Sequence, residues 1–378
     1  MNNNYYCIIM AGGMGKRFWP YSRKALPKQF LDFLGTGQTL LEQTFDRYKY
    51  IVPPENIFIS THSDYKDIVL QQIPETDESH LIVENERRNT APAIAYATHI
   101  IQKINPDATI VITPCDQLIL KYEEFKHDIL KGLEFASRND KLITLGIKPN
   151  RPETRYGYIQ IDDEKEEDFH KVKTFIEKPA LEFAEIFVQS NEFYWNSGIF
   201  IWNVQAIQKA FHTLMPDVCP RFECDHPDFS SCPNISIDYS IMEKADNVYV
   251  EICNFGWADL GTWKALYEAS PKDKNRNVII HSNTILENCK NNVIIIPEGK
   301  IAVIQDLDGY LVAAHDKALL ICKKDDQNAI RKFVNDVEME FGEKYSYNNF
   351  PPIYEIRRIY RQPTNTAIGK CVSVNIRK

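Results

Sequence analysis

The sequence predicts an α/β fold: a Rossmann-like mixed, mostly parallel sheet with helices on both faces, plus a small C-terminal β module that is β-helix-like. Three observations carry this expectation. Continuous apolar runs of strand length alternate with amphipathic helical patterns, as βαβ units with strands buried on both faces require. Two of those runs end in "AGGMGKR" and "PCDQ", loops that belong at the carboxyl edge of such a sheet, where ligands bind. From about Asn275 the texture changes to short β-rich pieces broken by Asn, Gly and Asp.

The strands are read at "YYCIIMAGG" (5–13), "NIFIST" (56–61), "HLIVE" (80–84), "ATIVITPCD" (108–116) and "KLITLGI" (141–147). Helical patterns lie between them in "QTLLEQTFDRYKYI", "TAPAIAYATHIIQKI" and "YEEFKHDILKGLEFASR". "RYGYIQID" and "FIEKPALEFA" bracket an acidic, hairpin-like segment. In the last part, Ala329, Ile330, Phe333, Val334 and Val337 form an apolar helical stripe behind an Asp cap. The expected organisation is a catalytic domain over 1–270 and a β-rich module with a closing helix over 275–345. A tail over 346–378 is left unassigned.

A chain of 378 residues with 44% hydrophobic and 25% charged residues can bury a substantial core. A net charge of −8 argues against non-specific nucleic-acid binding. Nine cysteines, no signal-like N-terminus and no apolar stretch of about 18 residues indicate a cytoplasmic protein with free thiols and no membrane span. Cys219, Cys224, His226 and Cys232 lack the paired spacing of a zinc knuckle and read as a loop with incidental cysteines.

Against the acidic background, "AGGMGKRFWPYSRKALPKQF" (11–30) concentrates cations behind glycines. Ala11, Gly12, Gly13 and Gly15 follow an apolar strand, where small residues let backbone N–H groups approach phosphate oxygens. The Walker A template fails because Lys16 is followed by Arg17, and the dinucleotide template fails because Phe18 stands where its third glycine would fall. What is left is a glycine turn trailed by Lys16, Arg17, Arg23, Lys24 and Lys28, stiffened by Pro20 and Pro27. Such a loop suits an extended polyphosphate: amides hold one phosphate while Arg17 and Lys28 neutralise the others.

The pattern G-G-x-G-x-R-x-W-P-x-S-R-x-x-x-P-K-Q-F resembles the signature of the sugar-1-phosphate nucleotidylyltransferases, in the form carried by mannose-1-phosphate guanylyltransferases. Phe18 and Tyr21 are mild departures at positions where leucine is common. The resemblance implies transfer of GMP from GTP to mannose 1-phosphate, with Mg²⁺ as cofactor; the alternatives are another sugar-1-phosphate nucleotidylyltransferase or a catalytically inactive regulatory relative.

Further segments match the same family. "ENERRNTAPAIAYA" would on its own be a capped helix start at Asn89 or Thr90. The resemblance implies that Glu84, Arg88, Asn89 and Thr90 lie near guanine or its ribose. Asp116 ends a buried strand, a costly place for a carboxylate unless it is paired or bound to a cation. By resemblance it is a metal ligand, joined by Asp259 from "NFGWADLGTW". The resemblance likewise assigns Gly157, Glu177 and Asn196 to mannose and Lys178 to its phosphate. The chain leaves no room for the isomerase domain of long family members, so mannose 6-phosphate is not expected to replace mannose 1-phosphate. The C-terminal module is expected to pack on the catalytic domain and to support a homodimer.

Overall fold

The computed structural model describes residues 1–14, 18–222, 227–297, 299–315 and 318–342. Its first half runs β1 (Tyr5–Met10), α1 (Leu40–Tyr48), β2 (Ile57–His62), α2 (Lys66–Gln72), β3 (Leu81–Glu84), α3 (Thr90–Ile104), β4 (Thr109–Pro114), β5 (Gln117–Ile119), α4 (Tyr122–Arg138) and β6 (Leu142–Ile147). Then come β7 (Tyr158–Glu166), β8 (Phe169–Ile176), α5 (Leu181–Ser190), β9 (Phe193–Asn203), α6 (Val204–Leu214), β10 (Val248–Cys253), β11 (Trp257–Asp259) and α7 (Trp263–Ala269). The C-terminal part contains β12 (Val278–Ile280), β13 (Asn283–Glu287), β14 (Val293–Ile295), β15 (Ile301–Gln305), β16 (Tyr310–His315), β17 (Ala318–Lys323) and α8 (Gln327–Phe341).

Nine strands form one sheet in the order β3-β2-β1-β4-β9-β6-β10-β8-β7, in which β9 and β8 run against the others. The unbroken apolar run of β1 follows from burial on both faces. Tyr5, Cys7 and Ile9 enter one core, while Tyr6 and Ile8 enter the other. The sequence reading missed β9 as an element: "YWNSGIFIWN" is the body of an 11-residue antiparallel strand wedged between β4 and β6. α1 begins in a full capping box, with Thr39 Oγ1 accepting from the Glu42 amide and Glu42 accepting from the Thr39 amide.

The C-terminal part is a coil of parallel ladders, β12–β14–β16 on one side and β13–β15 on the other. Successive turns stack Val278 on Val293 and Val293 on Leu311. The asparagines that punctuate the sequence satisfy the corners: Asn292 donates from its amide nitrogen to Asn277 Oδ1 at 3.0 Å and to the Leu307 carbonyl at 2.9 Å. β17 closes the ladder antiparallel to β16. Ile330 and Val334 of α8 join the same core as Trp263, Leu266 and Val278. No described helix is long and apolar enough to cross a membrane. Residues 346–378, left unassigned by sequence, lie outside the described residues.

Candidate active site

The parallel strands β1, β2, β3 and β4 deliver Ala11, His62, Glu84 and Cys115 to one sheet edge. The Ala11 amide donates to the Ser60 carbonyl at 2.7 Å, which carries the ladder into the glycine turn. The Gln29 side-chain amide donates to the carbonyls of Ala11 and Gly13, at 2.8 and 2.7 Å. With those carbonyls engaged from one side, the loop is held by a buried clamp that sequence reasoning missed. Gln29 was visible only as a letter of the "PKQF" motif. Gly15, Lys16 and Arg17 lie outside the described residues.

Glu84 sits against this loop. A Cβ added to Gly12 would lie 3.5 Å from Glu84 Oε1. Ser60 Oγ donates to the same oxygen at 3.0 Å. Burial pushes the Glu84 carboxyl from 4.5 up to about 7, against the opposing pull of the Ser60 hydroxyl and the Arg87 charge. The folded state therefore keeps a proton that the unfolded state sheds, so Glu84 lowers stability as pH rises from about 4.5 to about 7. Glu84→Gln should flatten that loss, on the order of 3 kcal/mol, in urea midpoints compared at pH 5 and pH 8.

The neighbouring residues at α3 do different jobs. Asn89, with φ 67°, is the N-cap, its side chain accepting from the Thr90 amide at 3.0 Å. Thr90 Oγ1 accepts from the Ile237 amide at 2.9 Å. Arg88 pairs with Glu86 at 2.6 Å. Of the four residues placed near the base by resemblance, Glu84 is the one that a Cβ built on Gly12 would meet.

A second cluster forms where β5 pairs with β11. Asp259 stands opposite Gln117, and the Leu260 amide donates to the Asp116 carbonyl at 3.2 Å. Residues far apart in the chain thus become backbone neighbours. Lys28 Nζ meets Asp116 Oδ2 at 2.5 Å and donates to the Leu260 carbonyl at 3.2 Å. The Asp259 charge also reaches Arg155, which makes a two-pronged contact with Glu153 at 2.8 Å on both arms. An ammonium already seated on Asp116 shows that this corner attracts a cation. Two carboxylates beside the glycine turn are the hard-oxygen donor set that a divalent cation uses. The residues fit such an ion.

The third cluster brings the sugar candidates together. A Cβ on Gly157 would lie 2.5 Å from Glu177 Oε2 and 3.3 Å from Asn196 Cβ, so only glycine fits there without displacement. The Asn196 amide donates to the Gly157 carbonyl at 2.8 Å. Lys178 ion-pairs with Glu177 and holds φ 53°. Asn196 Oδ1 accepts from Thr144 Oγ1 at 2.8 Å, while its Nδ2 donates to Asp238 Oδ1 at 2.9 Å. Asp238 is a second residue that sequence reading missed. Burial raises its carboxyl, opposed by the Lys178 charge and by hydrogen bonds from Ser236 and Asn196. The signal existed, since an aspartate inside "ISIDYSIM" raises the same question of a buried carboxylate as Asp116. The 235–238 segment bridges the clusters, touching α3 through Thr90 and Ala91 and the sugar candidates through Asp238.

Two other features do not join the site. Asp128, Glu251 and Cys253 come close together between α4 and β10, but Lys131 already neutralises Glu251 at 3.0 Å. A cavity of about 470 Å³ between α3 and α6, lined by His99, Gln102, Lys103, Gln208 and His212 among others, shares none of the predicted residues.

A glycine turn beyond β1, an acidic pair with its lysine beyond β4, and an Asn–Glu–Lys group across the same sheet define a nucleotidyl transferase. The nucleotidyl transferase family model matches residues 6–276, and the chain belongs to that family. Its relatives include mannose-1-phosphate guanylyltransferases. It is 32% identical to one from Escherichia coli, over 88% of this chain and 75% of the relative. It is 33% identical to one from Salmonella muenchen, over 87% of this chain and 72% of the relative. A solved chain from Thermus thermophilus, described as a mannose-1-phosphate geranyltransferase, superposes with a TM-score of 0.82 at 28% identity, covering 89% of this chain and 99% of that one.

Proposed function

We propose that this nucleotidyl transferase moves GMP from GTP to mannose 1-phosphate, releasing pyrophosphate and forming GDP-mannose. The convergence of the glycine turn, the Lys28–Asp116 pair and the Gly157–Glu177–Asn196 group on one sheet edge carries the reading. A phosphate oxygen of mannose 1-phosphate attacks the α-phosphorus in line. One P–O bond forms there as the bond to the bridging β-phosphate oxygen breaks, and its electron pair leaves with pyrophosphate. No protein nucleophile takes part, so the protein's work is positioning and charge neutralisation.

Backbone amides of Gly12 and Gly13, with Gly15 and Lys16 following, receive the triphosphate, Ala11 anchoring the turn to β2 through its own amide, and Arg17 and Lys28 neutralise the departing pyrophosphate. Glu84 faces the base: its carboxylate accepts from guanine N1–H and the 2-amino group, which adenine cannot offer in that arrangement. Arg88, Asn89 and Thr90 complete that wall. Glu177 and Asn196 bind mannose hydroxyls and Lys178 its phosphate. Asp116 and Asp259 would hold Mg²⁺, which when bound screens the phosphate charges and polarises the α-phosphorus. We place the reaction in the cytoplasm, in keeping with the free thiols of all seven described cysteines. We also propose a homodimer covering the exposed Ile285, Ile301 and Val303 of β13 and β15, to be read as a doubled mass in light scattering.

Gly157→Ala should raise KM for mannose 1-phosphate by about tenfold and leave KM for GTP within about twofold, because the new methyl pushes on Glu177 and Asn196. Steady-state kinetics with each substrate varied in turn reads the split. The reaction itself is tested with GTP labelled at the α- or γ-phosphorus. The α label should enter the sugar nucleotide and the γ label pyrophosphate. A γ label in the sugar product, or release of orthophosphate, would refute the proposal.

A further inference from the structure

Arg23 counts by sequence among the cations trailing the glycines, yet its side chain turns away from them. It is 9% exposed, with Nε donating to the Pro20 carbonyl at 3.3 Å. Its terminal nitrogen reaches His315 twice, at 3.2 Å to the carbonyl and 2.8 Å to ring Nδ1. Because a guanidinium only donates, Nδ1 must be the accepting nitrogen, which puts the ring proton on Nε2. The ring also stands edge-on to Tyr21, with centroids 5.5 Å apart. His315 ends β16, so the contacts of its ring and carbonyl come from the C-terminal coil.

A second tie holds the other end of the same segment. Asp32 is 2% exposed and accepts from the Gly37 and Thr36 amides at 2.7 and 3.1 Å. His281, between β12 and β13, approaches its Oδ2 at 3.4 Å and its carbonyl at 3.3 Å. Between the two anchors lie Lys28, which meets Asp116, and Gln29, which clamps the carbonyls of Ala11 and Gly13. The chain from coil to glycine turn is continuous: His315 to Arg23, Asp32 to His281, and the short turn Lys28–Phe30 between them.

We propose that the C-terminal coil is part of the GTP site, with His315 a positioning residue that sets the polyphosphate loop through Arg23. The inference rests on the reading that the glycine turn and Lys28 receive the triphosphate. The described side-chain contacts of His315 are with Arg23 and Tyr21 of the signature segment, so its loss should fall on one substrate. His315→Ala removes the ring acceptor from a charged donor, and about a tenfold rise in KM for GTP is expected, with KM for mannose 1-phosphate within about twofold. His315→Asn, whose side-chain oxygen can replace Nδ1 as acceptor, should restore most of the GTP affinity. Arg23→Lys keeps the charge but not the two-armed reach, and should behave like His315→Ala; it serves if His315→Ala does not fold.

The experiment measures both KM values, calorimetric GTP affinity and the melting temperature for the full chain and the three variants. A GTP-selective loss rescued by asparagine supports the proposal. Unchanged GTP affinity, or equal loss for both substrates in step with melting temperature, overturns it. A wild-type chain that binds GTP but transfers nothing refutes the reaction assigned above and leaves the affinity comparison to decide the coupling. A wild-type chain that does not bind GTP overturns both.

Discussion

Asp116→Asn is expected to lower the rate of GMP transfer by about a thousandfold while leaving the melting temperature within a few degrees. Asparagine keeps the size of the side chain and the Asp116 carbonyl, so the hydrogen bond from the Leu260 amide and the β5–β11 pairing survive. What is lost is a negative charge at the tip of β4, where Lys28 now sits at 2.5 Å. Both partners are partly exposed, at 15% and 27% of their side-chain surface, so the ion pair itself contributes little to folding. The loss therefore falls on chemistry. Rapid-quench measurement of the transfer step, with thermal melting alongside, separates the two effects. A variant within tenfold of wild type would remove Asp116 from the catalytic group.

Lys28→Ala is expected to reduce kcat by about a hundredfold to a thousandfold, with KM for mannose 1-phosphate within about twofold. The ammonium lies beside Asp116, donates to the Leu260 carbonyl, and stands 6.0 Å from the Phe18 ring centroid. It bridges the signature segment and Asp116, where the proposed reaction would build charge as pyrophosphate departs. Because Lys28 and Asp116 touch, their effects should not add. The double variant should lose less than the product of the single losses, and a fully multiplicative result would mean that the residues act separately.

Much of the fold was legible because its physics is local. The apolar runs of β1 and β4 declared themselves through two-sided burial, α3 through its Asn89 cap and α4 through periodicity. The coil of β12 to β16 was legible through its spaced asparagines, which proved to be corner hydrogen-bonders. β9 was not legible as a central antiparallel strand, since pairing direction is a tertiary property that an apolar pattern leaves open. Site residues divide in the same way. The glycines and Asp116 could be argued from residue type at a strand end. Glu177, Asn196 and Asp259 came through resemblance, and the structure adds the reason they meet: Gly157 leaves room for two of them, and the β5–β11 ribbon brings the third beside Asp116. His315 meets Arg23 across 292 residues with no local signature, whereas Gln29 and Asp238 stood in legible segments whose partners only the fold supplies. Arg23 shows the opposite hazard, a cation in a phosphate-binding motif whose charge is turned toward the C-terminal coil.

The most direct test of the central claim is pyrophosphate release by the full chain with Mg²⁺ and mannose 1-phosphate, comparing GTP with ATP, UTP and dTTP. Mannose 6-phosphate serves as the sugar control. Release with GTP is expected to depend on mannose 1-phosphate, to be at least about a hundredfold weaker with the other nucleotides, and to be absent with mannose 6-phosphate. Release that ignores the sugar phosphate, or that proceeds equally with UTP or dTTP, would contradict the claim.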